Sequence, residues 1–517
     1  MSTNTKSGGA WRSFEEASQG MSPEKVASEK RRRDIGLILG PVLFIILLLI
    51  PLPEPLTVKA NHALAIVAWV MTWWICEPIP MPATSLLGVG LFMLLQVQPA
   101  ATVMNNLGNS NTWYLLSTFV FMNALVKHGF ATRVAYWLLS LPIGRKSPYA
   151  LLALYIVSVG IISAFLSNMA TTMLFLAIST GMITALQVTE DHAMAQAMRL
   201  GSAYGAQCGG FGTPMGSAGT NFLAIGLVAS LAGADFTVVD WMKVGFPFMI
   251  AMTLLLAVYF RGLFKIDLPN YQKACDYAKD ELKALGPMTT GEKRAVAIAV
   301  LVVICWLIPD GCRTIFGGGS EIYALVKGIF NSATVAIIGA VLCFVVPENW
   351  KDRKFLMNWT EANRYIDWGA LLLIVCGLVM GNAMGAEDVG ILAFVANGVG
   401  GVLGGLPPIV GVFGLVTLAT VLTQIISNVP AISIMLPVGF AVSQAIGLNP
   451  VAILLALAFA CQNSYALPVA APQMAFVYGT GSISMKQFVK AGGLFTIISI
   501  FATSLIGYYL AAAMFPM

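Results

Sequence analysis

The chain has 517 residues, of which 58% are hydrophobic and only 10% are charged, and its formal net charge is +5. Soluble domains carry about 25% charged residues, so this composition excludes an ordinary soluble protein and indicates an integral membrane protein. The small net charge gives no reason to expect a nucleic-acid partner, and the 8 cysteines, which form no CxxC pair, predict neither a metal cluster nor a disulfide framework.

Apolar runs long enough to cross a lipid bilayer recur from Ile35 to the C-terminus. A spanning helix needs about 20 such residues, whereas a barrel strand would alternate polar and apolar residues over about 10. We therefore predict an all-α polytopic membrane protein with about 11 transmembrane helices and two re-entrant hairpins. The 50 glycines and 25 prolines are many for a simple bundle, and they favour broken helices that line a wet cavity.

The chain divides into a polar tail (1–34), a first half (35–262), a linker (263–293) and a second half (294–517). We expect the tail to be disordered and cytoplasmic, because Arg31-Arg32-Arg33 ahead of the first span is a topogenic signal. With the tail inside, most of the other basic residues also fall on the cytoplasmic side. This asymmetry predicts two inverted repeats in a multi-pass protein of a bacterial inner or plasma membrane.

Two apolar stretches, 149–187 and 408–446, each carry a Ser-Asn dipeptide near the midpoint. These dipeptides are Ser167-Asn168 and Ser427-Asn428, and they lie 260 residues apart (427 − 167). Each stretch is long enough for two spans but has no charged loop in its middle, which is typical of a re-entrant hairpin with the polar pair at its tip. Polar breaks at equivalent places in two halves of a membrane protein indicate a transporter binding site.

A hairpin tip within the membrane can attract ions of both signs. The backbone N–H groups where the second helix begins carry partial positive charge and attract an anion. The carbonyl groups at the end of the preceding helix attract a cation. Asn side chains and the hydroxyls of Ser163 and Thr423, four residues before each Ser-Asn, add donors and acceptors. Lys or Arg is not needed, and neither occurs in the central segment of either hairpin.

Each half also contains a second break that is rich in glycine or proline, at 209–221 and 463–474. Neither segment can continue as a regular helix, because Gly and Pro disrupt it. The unwound backbone would supply carbonyl oxygens for Na+, a hard cation. One such loop alone is as well explained by a packing kink, but two loops in matching positions, each after a Ser-Asn hairpin, favour ion binding.

At these residues the chain resembles the divalent-anion:sodium symporter family, the carriers of dicarboxylates, citrate and sulfate. The resemblance extends from the first apolar run to the end of the chain, and its motifs occur in the family's order and spacing. The motifs are Trp73-Trp74-Ile75-Cys76-Glu77-Pro78-Ile79-Pro80, Ser167-Asn168-Met169, Gly212-Thr213-Pro214-Met215-Gly216-Ser217, Ser427-Asn428-Val429 and Leu467-Pro468-Val469-Ala470-Ala471-Pro472.

The resemblance implies a homodimer in which each protomer has a scaffold domain and a transport domain. The transport domain would move vertically across the membrane with its substrate, as an elevator-type alternating-access mechanism requires. Two Na+ sites are implied, with Ser163, Ser167, Asn168 and Gly212 at one and Thr423, Asn428 and Ala466 at the other. The anionic substrate is expected to face Asn168, Met169, Ser217, Asn428, Val429 and Pro468.

The chain departs from the family motif at the residue after each Ser-Asn. Met169 and Val429 stand where the motif has threonine, so a hydroxyl expected to touch the anion is lost. A donor lost from a buried site costs about 1–3 kcal/mol if nothing replaces it. Candidate replacements are Thr171, Thr172, Asn463 and Gln473. These departures leave the predicted fold unchanged but predict a substrate that differs from an ordinary dicarboxylate.

The predicted function is secondary active transport, as Na+-coupled symport of a small divalent anion. The alternatives within the family are a Na+-independent anion exchanger and a carrier for sulfate or an organosulfonate. An intramembrane enzyme is disfavoured, because the chain lacks HExxH, GxGD and Walker A motifs and has only 3 histidines. A channel is disfavoured, because inverted repeats with two Asn-bearing tips favour alternating access.

Overall fold

The computed structural model describes residues 23–233, 236–403 and 407–516, and these are almost wholly helical. The helices before the linker are α1 (Pro23–Leu49), α2 (Val58–Cys76), α3 (Met81–Leu94), α4 (Ala100–Asn105), α5 (Ser110–Lys127), α6 (Phe130–Leu139), α7 (Pro148–Ser163), α8 (Asn168–Leu186), α9 (Ala193–Gly209), α10 (Ala218–Leu231) and α11 (Val238–Leu263). The later helices are α12 (Gln272–Ala284), α13 (Thr290–Phe316), α14 (Glu321–Ile329), α15 (Ser332–Val345), α16 (Trp359–Tyr365), α17 (Trp368–Gly385), α18 (Ile391–Leu403), α19 (Pro408–Ile425), α20 (Asn428–Ile446), α21 (Pro450–Ala460), α22 (Pro472–Gly479), α23 (Met485–Ala502) and α24 (Tyr508–Met514). Two short antiparallel strands, β1 (Pro347–Asn349) and β2 (Lys354–Phe355), form the sheet of the described residues.

Eight segments of the described chain are long and apolar enough to cross a membrane. They are Asn168–Leu186, Val238–Leu263, Thr290–Phe316, Glu321–Val345, Trp368–Gly385, Pro408–Ile425, Asn428–Ile446 and Met485–Met514. The all-α polytopic membrane fold predicted from the sequence is therefore confirmed. The number of spans, the two inverted repeats and the division into scaffold and transport domains remain predictions.

The N-terminal helix α1 differs from the sequence-based expectation. It begins at Pro23, so the end of the predicted tail is helical and continuous with the first apolar run, whereas residues 1–22 lie outside the described residues. The charged residues of this extension can pair with one another along one helix face. Glu29 and Arg32, three residues apart, form an ion pair at 2.7 Å, an arrangement that stabilises a helix modestly.

Several apolar helices are too short to cross a bilayer. Helix α10 has 14 residues and α21 has 11. At about 1.5 Å per residue, neither reaches the roughly 30 Å of a bilayer's hydrocarbon core. Such half-helices can end inside the protein only where their free backbone groups find partners or line a cavity. Their ends therefore mark the interior positions where an ion or a substrate can bind.

Both predicted hairpin stretches consist of two helices joined by a short turn. In the first, α7 ends at Ser163 and α8 begins at Asn168. The hydroxyl of Tyr155 on α7 donates to the carbonyl of Phe175 on α8 at 2.7 Å, which ties the two arms together. In the second, α19 ends at Ile425 and α20 begins at Asn428. Each tip therefore presents the N-terminus of a helix at its Ser-Asn pair.

The deepest part of the core lies on the helices that lead into the two unwound loops. Every residue of α21 from Ala452 to Ala460 is fully buried, and α9 is buried almost throughout. Helix α10 begins at Ala218, inside the segment 209–221 that was predicted to be unwound, and the N–H groups of Thr220 and Asn221 close its first turn by donating to the Ser217 carbonyl. The two loops thus lie at the centre of the protein.

Candidate functional site

The first hairpin tip holds a compact group of oxygen atoms. The Ser163 hydroxyl lies 2.9 Å from Asn168 Oδ1 and 2.8 Å from the carbonyl oxygen of Ala206, in the last turn of α9. Both side chains are buried. The backbone N–H of Asn168 donates to the carbonyl of Gly216 at 3.2 Å, so the tip is also joined to the first unwound loop.

The second hairpin tip repeats this arrangement. The Thr423 hydroxyl lies 2.8 Å from Asn428 Oδ1 and 2.6 Å from the carbonyl oxygen of Cys461, the residue after α21. In both halves of the chain a hydroxyl five residues before the asparagine thus joins the asparagine to the end of the helix that enters the unwound loop. We call the two groups the first oxygen cluster (Ser163, Asn168, Ala206) and the second oxygen cluster (Thr423, Asn428, Cys461).

When Asn168 Oδ1 faces Ser163, each cluster has more acceptor oxygens than hydrogens to share. A hydroxyl carries one hydrogen, so it can donate to the amide oxygen or to the carbonyl but not fully to both. At least one short oxygen–oxygen contact in each cluster therefore lacks a hydrogen. Oxygen-rich groups of this kind suit a hard cation, and half-helix carbonyl ends add negative potential.

The side-chain amide of Asn168 has two orientations with different consequences. Turned with its nitrogen toward the cluster, it donates to Ser163 Oγ at 2.9 Å, Ala206 O at 2.9 Å and Gly216 O at 3.1 Å. Turned with its oxygen toward the cluster, it adds an acceptor there, and its nitrogen lies 3.4 Å from Gln207 Oε1. The first orientation satisfies the cluster without an ion, whereas the second assembles the ligands that a cation requires.

The glycines of the first unwound loop let its backbone approach the tip. A Cβ atom at Gly210 would lie 2.6 Å from Asn168 Oδ1, and one at Gly216 would lie 2.5 Å from the carbonyl oxygen of Ser163. A Cβ atom at Gly209 would lie 2.3 Å from the carbonyl oxygen of Gly160. Real Cβ atoms essentially never come so close, so glycine is required here for the loop to touch the tip.

A chain of buried side-chain amides connects the two unwound loops. Gln207 donates to the carbonyl of Gln462 at 2.5 Å, and Gln462 donates to Asn221 Oδ1 at 2.9 Å. Gln473 donates in turn to Gln207 Oε1. We call these four residues the amide brace; all of them are buried.

The amide brace has an internal symmetry that follows the two halves of the chain. Gln207 and Gln462 lie 255 residues apart, each beside the break that follows a half-helix. Each glutamine forms a hydrogen bond with a residue in the first turn of the helix after the other half's loop. Gln207 accepts from Gln473 on α22, and Gln462 donates to Asn221 on α10. The brace therefore joins the two loops to each other and includes residues from both halves of the chain.

Four helix N-termini meet around the brace and the tips. Asn168 and Asn428 open α8 and α20, while Asn221 and Gln473 lie in the first turns of α10 and α22. A Cβ atom at Gly219, on the first turn of α10, would lie 3.8 Å from the Val429 side chain at the second tip. Helix N-termini carry partial positive charge and offer free N–H groups, so this region can hold an anion without a basic side chain.

No charged side chain competes with these backbone dipoles. The sequence from Val389 to Met485 contains no Asp, Glu, Lys, Arg or His, and neither does the stretch from Ser147 to Thr189. Both hairpins and the second unwound loop lie within these stretches. An anion and its accompanying cations would therefore be bound by hydroxyls, amides and helix ends, which are the groups found here.

The residues predicted to touch the substrate differ in their exposure. Met169 is 40% exposed, Val429 and Ser217 are half-buried, and Pro468 is buried. The Ser217 hydroxyl lies 2.5 Å from that of Thr220, so it is already paired within the loop. Asn168 and Asn428 belong to the clusters described above. Asn168, Met169, Ser217, Asn428 and Val429 thus lie at the starts of α8, α10 and α20, and Pro468 lies in the second unwound loop.

The candidate replacements for the missing threonine hydroxyl have separate roles. Thr172 donates to backbone carbonyls of Asn168 and Ser202 at 2.8 and 3.2 Å, so its hydroxyl is occupied. Thr171 is fully buried and has no hydrogen-bond partner among the described residues. Gln473 belongs to the amide brace, while Asn463 points to Thr503. Replacement of the hydroxyl missing at position 169 by any of the four stays a prediction.

The residues assigned to Na+ by resemblance are only partly brought together. Ser163, Asn168, Thr423 and Asn428 form the clusters, whereas Ser167 is exposed and caps α8 by accepting from the Ala170 N–H at 3.3 Å. Gly212 is buried in the first loop. The Ala466 N–H donates to Gln424 Oε1 at 3.0 Å, and Gln424 Nε2 donates to the carbonyl of Asn463 at 2.6 Å.

The sequence interpretation missed Gln424, Gln207 and Gln462. Isolated amides in apolar helices show no partner in the sequence, because their partners lie on distant segments. A usable signal did exist, since a glutamine lies immediately before or within each break that follows a hairpin. A polar side chain in a membrane helix needs a partner inside the protein, so these residues pointed toward the interior site.

Comparison with known proteins agrees with this architecture. The family model described as the sodium:sulfate symporter transmembrane region matches residues 32–515. A sodium-dependent dicarboxylate transporter, SdcS, of Staphylococcus saprophyticus is 29% identical over 486 residues, covering 92% of this chain and 91% of the relative. The protein of the same name from Staphylococcus aureus strain MRSA252 is 30% identical over 490 residues, with 92% and 91% covered.

Two solved structures share the fold. The YdaH transporter of Alcanivorax borkumensis aligns with a TM-score of 0.56 at 14% identity, covering 87% of this chain and 99% of that one. MtrF of Neisseria gonorrhoeae aligns with a TM-score of 0.54 at 12% identity, covering 92% and 94%. The matching family and relatives are transporters, so the protein is not an enzyme. The chain belongs to the sodium:sulfate symporter family, which confirms its resemblance to the divalent-anion:sodium symporters.

Proposed function

We propose that the protein carries a small dicarboxylate-like anion across the membrane together with Na+. The observation that supports this most strongly is the pair of matched oxygen clusters beside four helix N-termini. Cations would bind at the clusters and the anion at the helix N-termini, with Asn168 and Asn428 in contact with both. Relatives with 29–30% identity carry the name of sodium-dependent dicarboxylate transporters.

The proposed Na+ ligands are specific atoms of the two clusters. At the first, the Ser163 hydroxyl, Asn168 Oδ1 and the carbonyls of Ala206 and Gly216 would surround the ion. At the second, the Thr423 hydroxyl, Asn428 Oδ1 and the carbonyl of Cys461 would do so. Gly212 and Ala466, which the family resemblance implies as further ligands, lie in the two unwound loops. Binding of Na+ would select the Asn168 orientation that turns its oxygen inward, since that orientation adds a ligand for the ion.

Na+ binding and anion binding would be coupled because Asn168 and Asn428 contact both ligands. An ion that fixes the Asn168 and Asn428 side chains also fixes the turn from which the helix N-termini of α8 and α20 begin. The positive charge of the ion lies close to the anion and attracts it. Because affinity coupling between two ligands is reciprocal, the anion would strengthen Na+ binding by the same factor.

The amide brace favours an elevator over a rocking motion of one half against the other. Rocking would pull Gln207 away from Gln462 and Gln473 and would leave buried amides without partners. Vertical movement of both tips and both loops as one transport domain, within a homodimer, leaves the brace intact. The cytoplasmic N-terminus follows from the charge asymmetry of the sequence.

Substitution of the two asparagines in reconstituted protein tests this function. Asn168→Ala and Asn428→Ala should each abolish Na+-driven uptake of four-carbon dicarboxylates while the purified protein remains folded. Uptake that persists in both variants would refute the site. If internal anion still exchanges for external anion at an unchanged rate without Na+, the protein is instead a Na+-independent anion exchanger.

Because Met169 and Val429 lack the threonine hydroxyl of the family motif, we expect the protein to bind ordinary dicarboxylates more weakly than another small anion of the same class. Met169 presents a flexible apolar side chain beside the first tip. Heat-unfolding measurements with a panel of dicarboxylates, sulfate and organosulfonates, with and without Na+, would identify it. The ligand that raises the unfolding temperature only when Na+ is present is the transported anion.

A further inference from the structure

The second hairpin carries a buried amide directly beside its oxygen cluster. Gln424 follows the cluster residue Thr423 and is the second-to-last residue of α19. Its Nε2 group donates to the Thr420 carbonyl on the same helix at 2.9 Å and to the Asn463 carbonyl in the second unwound loop at 2.6 Å. Its Oε1 accepts from the Ala466 N–H at 3.0 Å. Both amide hydrogens and the amide oxygen are therefore used, and the orientation of the amide is fixed, because only the oxygen can accept from an N–H.

The two loop partners of Gln424 are the first and fourth residues of the segment 463–466. In a hydrogen-bonded β-turn, the carbonyl of the first residue accepts directly from the N–H of the fourth. Here the Gln424 amide bonds to the Asn463 carbonyl with its nitrogen and to the Ala466 N–H with its oxygen. A side-chain amide thus takes the place of the direct backbone bond and holds the segment open.

The opened segment has backbone oxygens without donors. Among the described residues, the carbonyls of Ser464, Tyr465 and Ala466 accept no hydrogen bond. The segment begins two residues after Cys461, whose carbonyl belongs to the second oxygen cluster. Ala466 is also the loop residue that the family resemblance implies as a ligand of the second Na+. Since hard cations prefer oxygen ligands, the conformation of this segment bears directly on the second Na+ site.

The first half makes the same connection with different chemistry. Ala164 follows Ser163 of the first oxygen cluster and lies 260 residues before Gln424 (424 − 164). The Ala164 carbonyl accepts from the hydroxyl of Thr213 in the first unwound loop. In both halves the residue after the cluster hydroxyl thus ties the hairpin to the adjacent loop. The first half uses a backbone carbonyl for this, whereas the second half depends on one side chain.

We propose that Gln424 is a positioning residue for the second Na+ site, a role that rests on the Na+-coupled function proposed above. Gln424 binds neither the ion nor the anion, because its amide groups are already bonded. It acts through the backbone of the segment 463–466. Without the amide, this segment would close or shift, and the second Na+ site would weaken. The first oxygen cluster would keep its own connection through Thr213.

Na+ activation of uptake by position-424 variants in reconstituted protein tests this role. Gln424→Met keeps the approximate length of the side chain but removes both loop bonds. It should raise the Na+ concentration for half-maximal uptake about tenfold, with the KM for the anion at saturating Na+ unchanged. The control is Thr420→Val, one turn earlier on α19, which removes a buried hydroxyl that contacts the Ala460 carbonyl at 3.4 Å and does not reach the segment 463–466. Thr420→Val should require the same Na+ concentration as wild type.

Gln424→Glu adds a readout that a purely stabilising role would not change. A protonated carboxyl group has one O–H donor and an acceptor oxygen, so it can make both loop bonds, whereas a carboxylate has no hydrogen to give to the Asn463 carbonyl. The Na+ requirement of Gln424→Glu should therefore approach the wild-type value in acid and rise relative to wild type as the pH increases. Wild type and Thr420→Val, measured at each pH, correct for titration of the anion.

The possible results separate the role of Gln424 from the function on which it rests. If wild-type uptake depends on Na+ and Gln424→Met keeps the wild-type half-maximal Na+ concentration, Gln424 does not position the site. A Na+ requirement of Gln424→Glu that exceeds the wild-type value equally at every pH would also overturn the role. Wild-type uptake that does not depend on Na+ would overturn the symport itself, and the role of Gln424 with it. Should Gln424→Met fail to fold, the pH profile of Gln424→Glu alone decides.

Discussion

Replacement of Gln207 by methionine is a direct test of the amide brace. The substitution keeps the length and approximate volume of the side chain but removes its amide. Gln207 is fully buried, donates to the Gln462 carbonyl at 2.5 Å and accepts from Gln473 Nε2. Gln473 Nε2 would be left unpaired, whereas the Gln462 carbonyl would still accept from the Ser464 N–H at 2.9 Å. At about 1–3 kcal/mol for one buried unpaired group, the expected loss of stability is about 1–3 kcal/mol.

The effect should extend to both Na+ sites, because the brace positions both loops. We expect Gln207→Met to lower the unfolding temperature of the purified protein and to raise the Na+ concentration for half-maximal uptake about tenfold, which corresponds to about 1.4 kcal/mol of lost binding. The matched control is Gln196→Met on the same helix, since Gln196 only makes a 3.4 Å contact with Gln487 in an exposed position. Equal behaviour of the two variants would refute a connecting role for the brace.

Three further predictions concern the first unwound loop, the substrate specificity at position 169 and the ion pair between Glu190 and Arg199. Gly210→Ala should abolish Na+-stimulated uptake, because the new Cβ atom would lie 2.6 Å from Asn168 Oδ1. The control Gly219→Ala should be tolerated, because its Cβ atom would lie 3.8 Å from the Val429 side chain. Equal loss of uptake in both variants would contradict the close approach of the loop to Asn168. Met169→Thr should tighten binding of four-carbon dicarboxylates about tenfold through one regained hydrogen bond, and an unchanged Kd would show that position 169 does not touch the anion. The hydrogen bond from Arg199 lowers the pKa of Glu190, so this carboxylate stabilises the fold above its ordinary pKa and the contribution is lost as the pH falls through the lowered pKa. Glu190→Gln should therefore unfold at a lower temperature than wild type at neutral pH but not in acid, and a difference independent of pH would exclude the ion pair as the cause.

The hairpins and their tips could be located from the sequence, for a physical reason. A Ser-Asn pair in the middle of a long apolar stretch cannot face lipid, so it has to lie where the backbone breaks inside the protein. The matched spacing of the two copies then indicated that the breaks were related. Ser163 and Thr423 were found by the same repeat, and the structure joins each of them to its asparagine.

The connections between the halves could not be predicted from the sequence. Gln207 lies near the end of α9 and Gln462 lies two residues after α21, and their mutual bond spans 255 residues with no local pattern to indicate it. A π-helical segment, Thr503–Gly507, separates α23 from α24 and has no Gly or Pro at its start to signal it. The helical extension at Pro23 was missed because its charged residues resemble a tail until their pairing along one helix face is seen.

The claim that Na+ at the two oxygen clusters drives anion transport is tested most directly by uptake into proteoliposomes under an imposed Na+ gradient. Labelled dicarboxylate should accumulate against its own gradient in wild-type vesicles, and accumulation should vanish when Na+ is replaced by K+ or when Asn168 or Asn428 is changed to alanine. Accumulation that is equal in K+ and Na+, or that survives in both asparagine variants, would contradict the assignment of the clusters as Na+ sites.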